Sequence, residues 1–320
     1  MKKLAAIILS AIMCISLASC GSKDDIPEIG LLQLMEHPAL TATRLGIIQA
    51  LEDNGYIDGE TVKLDIQVAS NDQSILGTVA DRFVGNDVDL IIAIATPSTQ
   101  AVAGKTSTIP ILGSAITNFE FAGLVDSNSA PGRNISGVSD LTPIASQLDL
   151  IFKFVPNAQV IGFAYNSAED NSRYQIGVAK EYVESLGLTW REVTVATSND
   201  VAQAITDLAD RVDAIYLPND NTMAGAMALV SSIATAAKVP VVVADRDMVY
   251  NGGLVTLGIN YFNVGYETGL MAVKILRDGG NPASMPIQFS TEFNYFVNGR
   301  IADELGITVP DEFTDYIFYE

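Results

Sequence analysis

A series of landmarks that occurs twice, roughly 130 residues apart, constrains this chain more than any other feature of its sequence. Ile29-Gly30 returns as Ile161-Gly162, Ser70-Asn71-Asp72 as Ser198-Asn199-Asp200, Val88-Asp89-Leu90-Ile91 as Val212-Asp213-Ala214-Ile215, and Ile109-Pro110 as Val239-Pro240. The offsets are 132, 128, 124 and 130, close enough to one another to mark two copies of one unit. Within each copy, short apolar runs bounded by turn residues alternate with helix-length segments. The runs are Ile29 to Leu34, Val62 to Val68, Leu90 to Ala95, Ile109 to Leu112, Val160 to Ala164, Ala214 to Leu217 and Val239 to Val243. Between them lie Ala39 to Asn54, Ser74 to Phe83, Ser172 to Leu186, Val201 to Leu208 and Thr222 to Ala237. Buried strands alternating with helices form parallel sheets covered on both faces, so the expected class is α/β, with two similar doubly wound lobes.

The segments between and after the copies indicate how the lobes join. A Gly-, Asn- and Ser-rich passage from Ile116 to Pro143 holds a short strand at Ile135 to Val138, and the strand Leu254 to Ile259 precedes an amphipathic segment, Phe262 to Leu276. Crossovers are expected at Val138 to Leu141, at Leu257 to Asn260 and between Pro286 and Asn294. The expected division is then residues 28–138 with 261–287 in the first lobe and 139–260 with 288–320 in the second. Ligands of open α/β sheets bind beyond the carboxyl ends of the strands, so two hinged lobes place those ends across one cleft.

The amino terminus speaks to location. Residues 1–19 combine Lys2 and Lys3, an apolar run from Leu4 to Ala18 and a small-residue exit, the pattern of an export signal peptide too short for a stable span. Leu17-Ala18-Ser19-Cys20 resembles the lipobox of bacterial lipoproteins, in which the cysteine is lipidated (palmitate among the acyl groups) and becomes the first residue. Residues 20–27 then read as a polar tether to a cell membrane, on its extracytoplasmic face. With Cys14 removed, Cys20 is the single mature cysteine, which excludes an internal disulfide. About 290 residues remain, 48% of the whole chain is apolar, and the net charge of −20 becomes −22 without the signal lysines. That charge disfavours nucleic acid as a partner, because neutralising phosphates needs clustered Lys and Arg.

Residues just past the strands are the candidates for a binding cleft. The first lobe offers Gln33, Glu36 and His37, then Thr96 and Ser98, then Ser114 through Asn118, including Thr117. The second offers Tyr165 and Asn166, Asn171 and Ser172, Asn219, Asp220 and Asn221, and Asp245 with Arg246; Asp140 stands at the first crossover. Hydroxyls beside helix starts suit a carboxylate, whereas Asp220 and Asp245 suit an ammonium. A zwitterion split across a hinge satisfies both. Taken singly, each Ser, Asp or Asn before a helix is equally explained as an N-cap.

Enzymatic readings lack their required groups. His37 is the only histidine, no Gly-x-Ser-x-Gly elbow is present, and Gly104-Lys105-Thr106 has Thr99 where a phosphate loop needs glycine. Histidine metal clusters are excluded, and no metal or other cofactor is expected. Tyr165, Tyr250, Tyr261 and Phe119 are candidates for stacking on an aromatic ligand and equally for packing.

Several stretches together resemble the substrate-binding lipoproteins of bacterial ABC importers of the tryptophan/tyrosine type. They are Gln33-Leu34-Met35-Glu36-His37-Pro38-Ala39-Leu40, Ala93-Ile94-Ala95-Thr96-Pro97, Gly137-Val138-Ser139-Asp140, Leu217-Pro218-Asn219-Asp220-Asn221-Thr222 and Gly265-Tyr266-Glu267-Thr268-Gly269. The resemblance implies a periplasmic-binding fold of the first class with three crossovers. It also implies capture of an amino acid, often aromatic, by a monomer that delivers it to an ABC permease and its ATPase. One departure bears on specificity: where that family commonly has Asp-Pro after the Thr of the fourth strand exit, Thr117 is followed by Asn118-Phe119-Glu120-Phe121. A ligand-binding sensor module, or a receptor for a nucleoside or sugar, stays open as an alternative.

Overall fold

The computed structural model describes residues 26–319. The segment expected to be a signal peptide and the expected lipidation site Cys20 lie outside the described residues, as does most of the expected tether. In chain order the first copy comprises β1 (Glu28–Gln33), α1 (Pro38–Asp53), β2 (Lys63–Val68), α2 (Gln73–Gly85), β3 (Leu90–Ile94), α3 (Thr96–Ala103), β4 (Ile111–Ile116) and β5 (Ile135–Ser139). The second comprises α4 (Ile144–Phe154), β6 (Val160–Asn166), α5 (Asp170–Ser185), β7 (Thr189–Val195), α6 (Val201–Ala209), β8 (Ala214–Leu217), α7 (Asn221–Gly225), α8 (Met227–Ala236), β9 (Val241–Val243), α9 (Arg246–Tyr250) and β10 (Val255–Gly258). The chain then returns through α10 (Tyr261–Asp278) and β11 (Gln288–Phe289), and ends with β12 (Asn294–Asn298), α11 (Gly299–Leu305) and β13 (Ile317–Phe318).

The duplication is visible as topology. The first sheet runs β11-β5-β4-β3-β1-β2 and the second β13-β12-β10-β9-β8-β6-β7, so β1 to β5 occupy the same places in one sheet as β6 to β10 in the other. Each landmark pair does one job twice. Asp89 accepts the Glu28 N–H at 2.8 Å and Asp213 accepts those of Gln159 and Val160 at 2.8 Å, each tying the start of a central strand to its neighbour. Gly30 leaves room for the Phe83 ring, and Gly162 for Leu208 and Val212. All strand pairs are parallel except β10 with β12. β3 and β4 are buried throughout, as strands covered on both faces must be.

The chain passes between sheets after β5, after β10 and after β11. β11 pairs with β5 through Gln288↔Val138 and Phe289↔Ser139, so the first sheet reaches two residues past the boundary expected at 287. α10 belongs with the first sheet and lies against α1. A Cβ at Gly46 would come within 2.0 Å of the Phe262 carbonyl oxygen, and one at Gly265 within 1.9 Å of that of Thr43. These two helices therefore touch backbone to backbone, an approach that only glycine permits. The segment expected as one helix over Thr222 to Ala237 is two, a short helix capped by Asp220 and α8, broken at Ala226, whose backbone (φ −108, ψ 12) leaves the helical region.

Candidate functional site

A small cavity of about 20 Å³, room for about one water molecule, lies between the carboxyl ends of the two sheets. His37, Ala39, Leu40, Thr96, Ala115 and Thr117 line it from the first lobe, and Asn171, Asn219, Asp220, Asn221, Ala224 and Asp245 from the second. Asp140 and Tyr261, the residues just past two of the crossovers, complete the wall.

The first-lobe wall is built from strand exits under strain. Ala95 (φ 79) and Ala115 (φ 57) both take positive φ, unusual for residues with a side chain, and follow or end β3 and β4. Ala95 is the N-cap of α3 yet has no side chain to cap with, and Pro97 carries no N–H, so the Thr96 and Ser98 N–H groups at the start of that helix have no side-chain cap. Thr96 is 2% exposed, and its hydroxyl has no protein partner. This wall presents donors.

The second-lobe wall presents acceptors. Asn171 and Asn219 are buried, and the carbonyl oxygen of each side chain lacks a partner. Asp245 caps α9 through the Met248 N–H at 2.8 Å; burial and the nearby Asp247 carboxylate push its carboxyl from the usual 3.8 to about 7. At the hinge, Asp140 accepts from Thr117 Oγ1 at 3.0 Å and from Tyr261 Oη at 3.0 Å. Burial raises Asp140 to about 6 against the lowering effect of those two hydrogen bonds. Tyr261 is held well above its ordinary value by burial and by Asp140. No Lys or Arg lines the cavity. Arg246, beside Asp245, turns its guanidinium to Asp247 and to the Tyr250 and Phe296 rings instead. Buried carboxylates without a resident cation favour a ligand that brings one. Among the described residues, no group of three or more His, Cys, Asp or Glu side chains is placed to hold a metal ion.

Several of the residues expected at the cleft lie elsewhere and support it. Gln33 is fully buried and donates to the Met35 carbonyl at 2.6 Å, shaping the loop after β1. Glu36 faces solvent, pairs with Arg44 at 2.9 Å, and accepts from Thr41 at 2.6 Å. Ser98 sits inside α3, away from the cavity wall. Ser172 donates to Asp220 at 2.6 Å and Tyr165 to Glu192 at 3.0 Å. Asp220 borders the cavity, but its two oxygens already accept from Met223 N, Asn166 N and Ser172 Oγ. Burial and the Glu169 carboxylate raise Asp220, so it is a knot in the wall more than a free anion. Of the stacking candidates, Phe119 is core and Tyr250 packs on Phe318; Tyr261 alone reaches the cavity.

The unusual stretch after Thr117 has structural work of its own. Asn118 Oδ1 accepts the Phe121 N–H at 2.9 Å, Glu120 accepts that of Asn128 at 2.7 Å, and Phe121 reaches across to the Tyr174 ring, 5.4 Å between centroids. Further contacts span the cleft: Gln100 Nε2 donates to Asp170 at 2.7 Å, Asn71 Nδ2 to Thr222 Oγ1 at 3.4 Å, and His37 Nε2 meets Asn221 Oδ1 at 3.2 Å. Burial lowers the His37 pKa, favouring the neutral ring, and the amide oxygen opposite then requires Nε2 to carry the hydrogen. The lobes are closed on each other.

Comparison with known proteins agrees. Residues 28–318 match the family model for ABC transporter substrate binding proteins. A tyrosine-binding protein of Clostridioides difficile is 35% identical over 312 residues, covering 93% of this chain and 90% of the relative. Among solved structures, the ABC domain in complex with L-Trp from Streptococcus pneumonia has a TM-score of 0.88 at 37% identity, covering 91% of this chain and 99% of its own. The ligand-free, open structure of a substrate binding protein with adhesive properties from Clostridium difficile scores only 0.71 at 42% identity, covering 92% and 99%. The sequence of higher identity thus superposes less well, and its structure is an open one, whereas contacts cross the cleft here.

Proposed function

The chain belongs to the substrate-binding proteins of ABC transporters, and from that premise we propose that it captures a free amino acid with an aromatic side chain. The observation that carries this reading is the opposition of the two walls: the uncapped start of α3 and the unpartnered Thr96 hydroxyl on one side, acceptors at Asn171, Asn219 and Asp245 on the other. The carboxylate of an α-amino acid meets the first and its ammonium the second. Its side chain then points toward His37, Ala39, Leu40 and Ala224, the least polar part of the lining. The names of the two nearer relatives, one binding tyrosine and one crystallised with tryptophan, support an aromatic occupant.

Residues 28–139 with 261–289 swing as one lobe against 140–260 with 290–320, and the ligand favours closure by binding both halves at once. The protein works outside the cytoplasm as a monomer, held to the membrane by a lipid on Cys20, and hands its cargo to a permease driven by an ATPase. It performs no catalysis. Isothermal titration with the twenty amino acids, a nucleoside set and a sugar set tests the reading. Binding of L-tyrosine or L-tryptophan ahead of all others supports it; binding of a nucleoside or sugar alone overturns it. Mass spectrometry of the membrane-extracted protein tests the anchor, which fails if Cys20 carries no acyl groups.

A further inference from the structure

Glu169 precedes α5 in the N-cap position, yet its side chain caps none of that helix's backbone N–H groups. It is 3% exposed and turns instead to the start of α7, with no cation beside it. Oε1 accepts from Thr222 N at 3.2 Å and Thr222 Oγ1 at 3.0 Å. Oε2 accepts from Asn221 N at 3.1 Å, Asn221 Nδ2 at 2.6 Å and Asn171 Nδ2 at 3.1 Å. A carboxylate oxygen accepts hydrogen bonds, so each amide that faces Glu169 must face it with its NH2 group. The other end of each amide is thereby fixed. Asn171, whose Nδ2 also donates to the Asn219 carbonyl at 2.7 Å, is left with its Oδ1 unpartnered at the cavity wall, and Asn221 with its Oδ1 toward His37 of the opposite lobe. The Thr222 hydroxyl, its hydrogen committed to Glu169, keeps its lone pairs for Asn166 Nδ2 at 2.9 Å and for Asn71 Nδ2 from the opposite lobe.

We propose that Glu169 is a positioning residue that makes the second-lobe wall an all-acceptor surface, selecting the ammonium of the ligand through Asn171 and the closed lobe arrangement through Asn221 and Thr222. The proposal rests on the amino-acid reading for its ligand. A glutamine at 169 keeps the shape but opposes one of the N–H groups with its own NH2, which frees an asparagine amide to turn its donor end into the cavity.

The test is a double-mutant cycle on affinity for whichever of L-tyrosine and L-tryptophan the wild type binds. Glu169→Gln and Asn171→Leu should each weaken binding about tenfold or more, and the double variant should be little worse than either alone, because the glutamate acts through the asparagine. Effects that multiply, or an unaltered affinity in Glu169→Gln, overturn the proposal. Should Glu169→Gln not fold, the wild type supplies a second measurement. The side-chain NH2 protons of Asn171 and Asn221 should exchange with solvent markedly more slowly in the ligand-free protein than those of exposed asparagines; equal exchange rejects the assignment. A wild type that binds neither amino acid defeats the functional reading, while the exchange measurement still decides the amide orientation.

Discussion

The helix after β3 and the helix after β8 occupy the same place in two copies of one topology, and they have opposite chemistry. α3 begins behind Ala95, which cannot cap, so its start stays without a side-chain acceptor; α7 begins behind Asp220, whose carboxylate caps it at Met223 N. The same contrast holds between β4, which leads to Ala115 and Thr117, and β9, which leads to Asp245 capping α9. Duplication supplies two equivalent rims, and the choice of side chain at the N-cap decides whether a rim offers positive or negative potential. A dipolar guest is the natural complement of two such rims brought face to face.

The contrast can be broken most severely at Asp245. Asp245→Ala removes the least encumbered carboxylate of the acceptor wall and should weaken amino-acid binding by about 10- to 100-fold, the range for a charged hydrogen bond of roughly 1.5–3 kcal/mol, as read by titration calorimetry. Asp220→Ala should act differently, costing about 2 kcal/mol of folding stability in chemical denaturation because three donors lose their acceptor. Equal affinity losses with no stability difference between these variants would show that the two carboxylates are interchangeable.

A pH series sharpens the same comparison. Asp140 and Asp245 must be ionised to hold an ammonium, so affinity should rise with pH through about 6 to 7 and then level. Stability of the ligand-free protein should move the other way. A carboxyl raised from 3.8 to about 7 binds its proton more tightly in the folded state, so its contribution to stability falls as pH rises across that window. Asp245→Asn should flatten both slopes, which thermal melts at successive pH values would reveal.

On the donor wall, Thr96→Val keeps the shape and removes one hydroxyl, and should cost about fivefold in affinity, near 1 kcal/mol. Smallest of all, Phe121→Ala touches no part of the cavity, yet removes the ring contact with Tyr174. It should lower affinity about two- to threefold and increase the radius of gyration of the ligand-free protein in X-ray scattering. A loss larger than that from Thr96→Val would mean that lobe contact, more than wall chemistry, dominates binding.

The architecture was legible because it is written redundantly. Asp89 and Asp213 repeat because each fastens a central strand, and Gly30 and Gly162 because each admits a helix side chain against the sheet. The strand β7 escaped notice, since Thr189 to Val195 is mostly exposed or half-buried at a sheet edge, with charged Arg191 and Glu192 at its centre in place of a continuous apolar run. The site was legible only by position. Sequence order says that Thr96, Asn171, Asn219 and Asp245 follow strands; it does not say which way a side chain turns. Hence Tyr165 and Ser172, expected at the ligand, spend their hydroxyls on Glu192 and Asp220. Glu169 was missed because all its partners but Asn171 lie some fifty residues further on, across a fold that pattern alone does not close.

The backbone contact between α1 and α10 has a consequence for the order of synthesis. The groove around Gly46 is filled by a helix that begins at Tyr261, and the sheet edge at β5 is covered by Gln288 and Phe289. An amino-terminal lobe emerging first from the ribosome is therefore unfinished until nearly the whole polypeptide has been made, and a fragment stopped at residue 139 would lack the helix that its own glycines are shaped to receive.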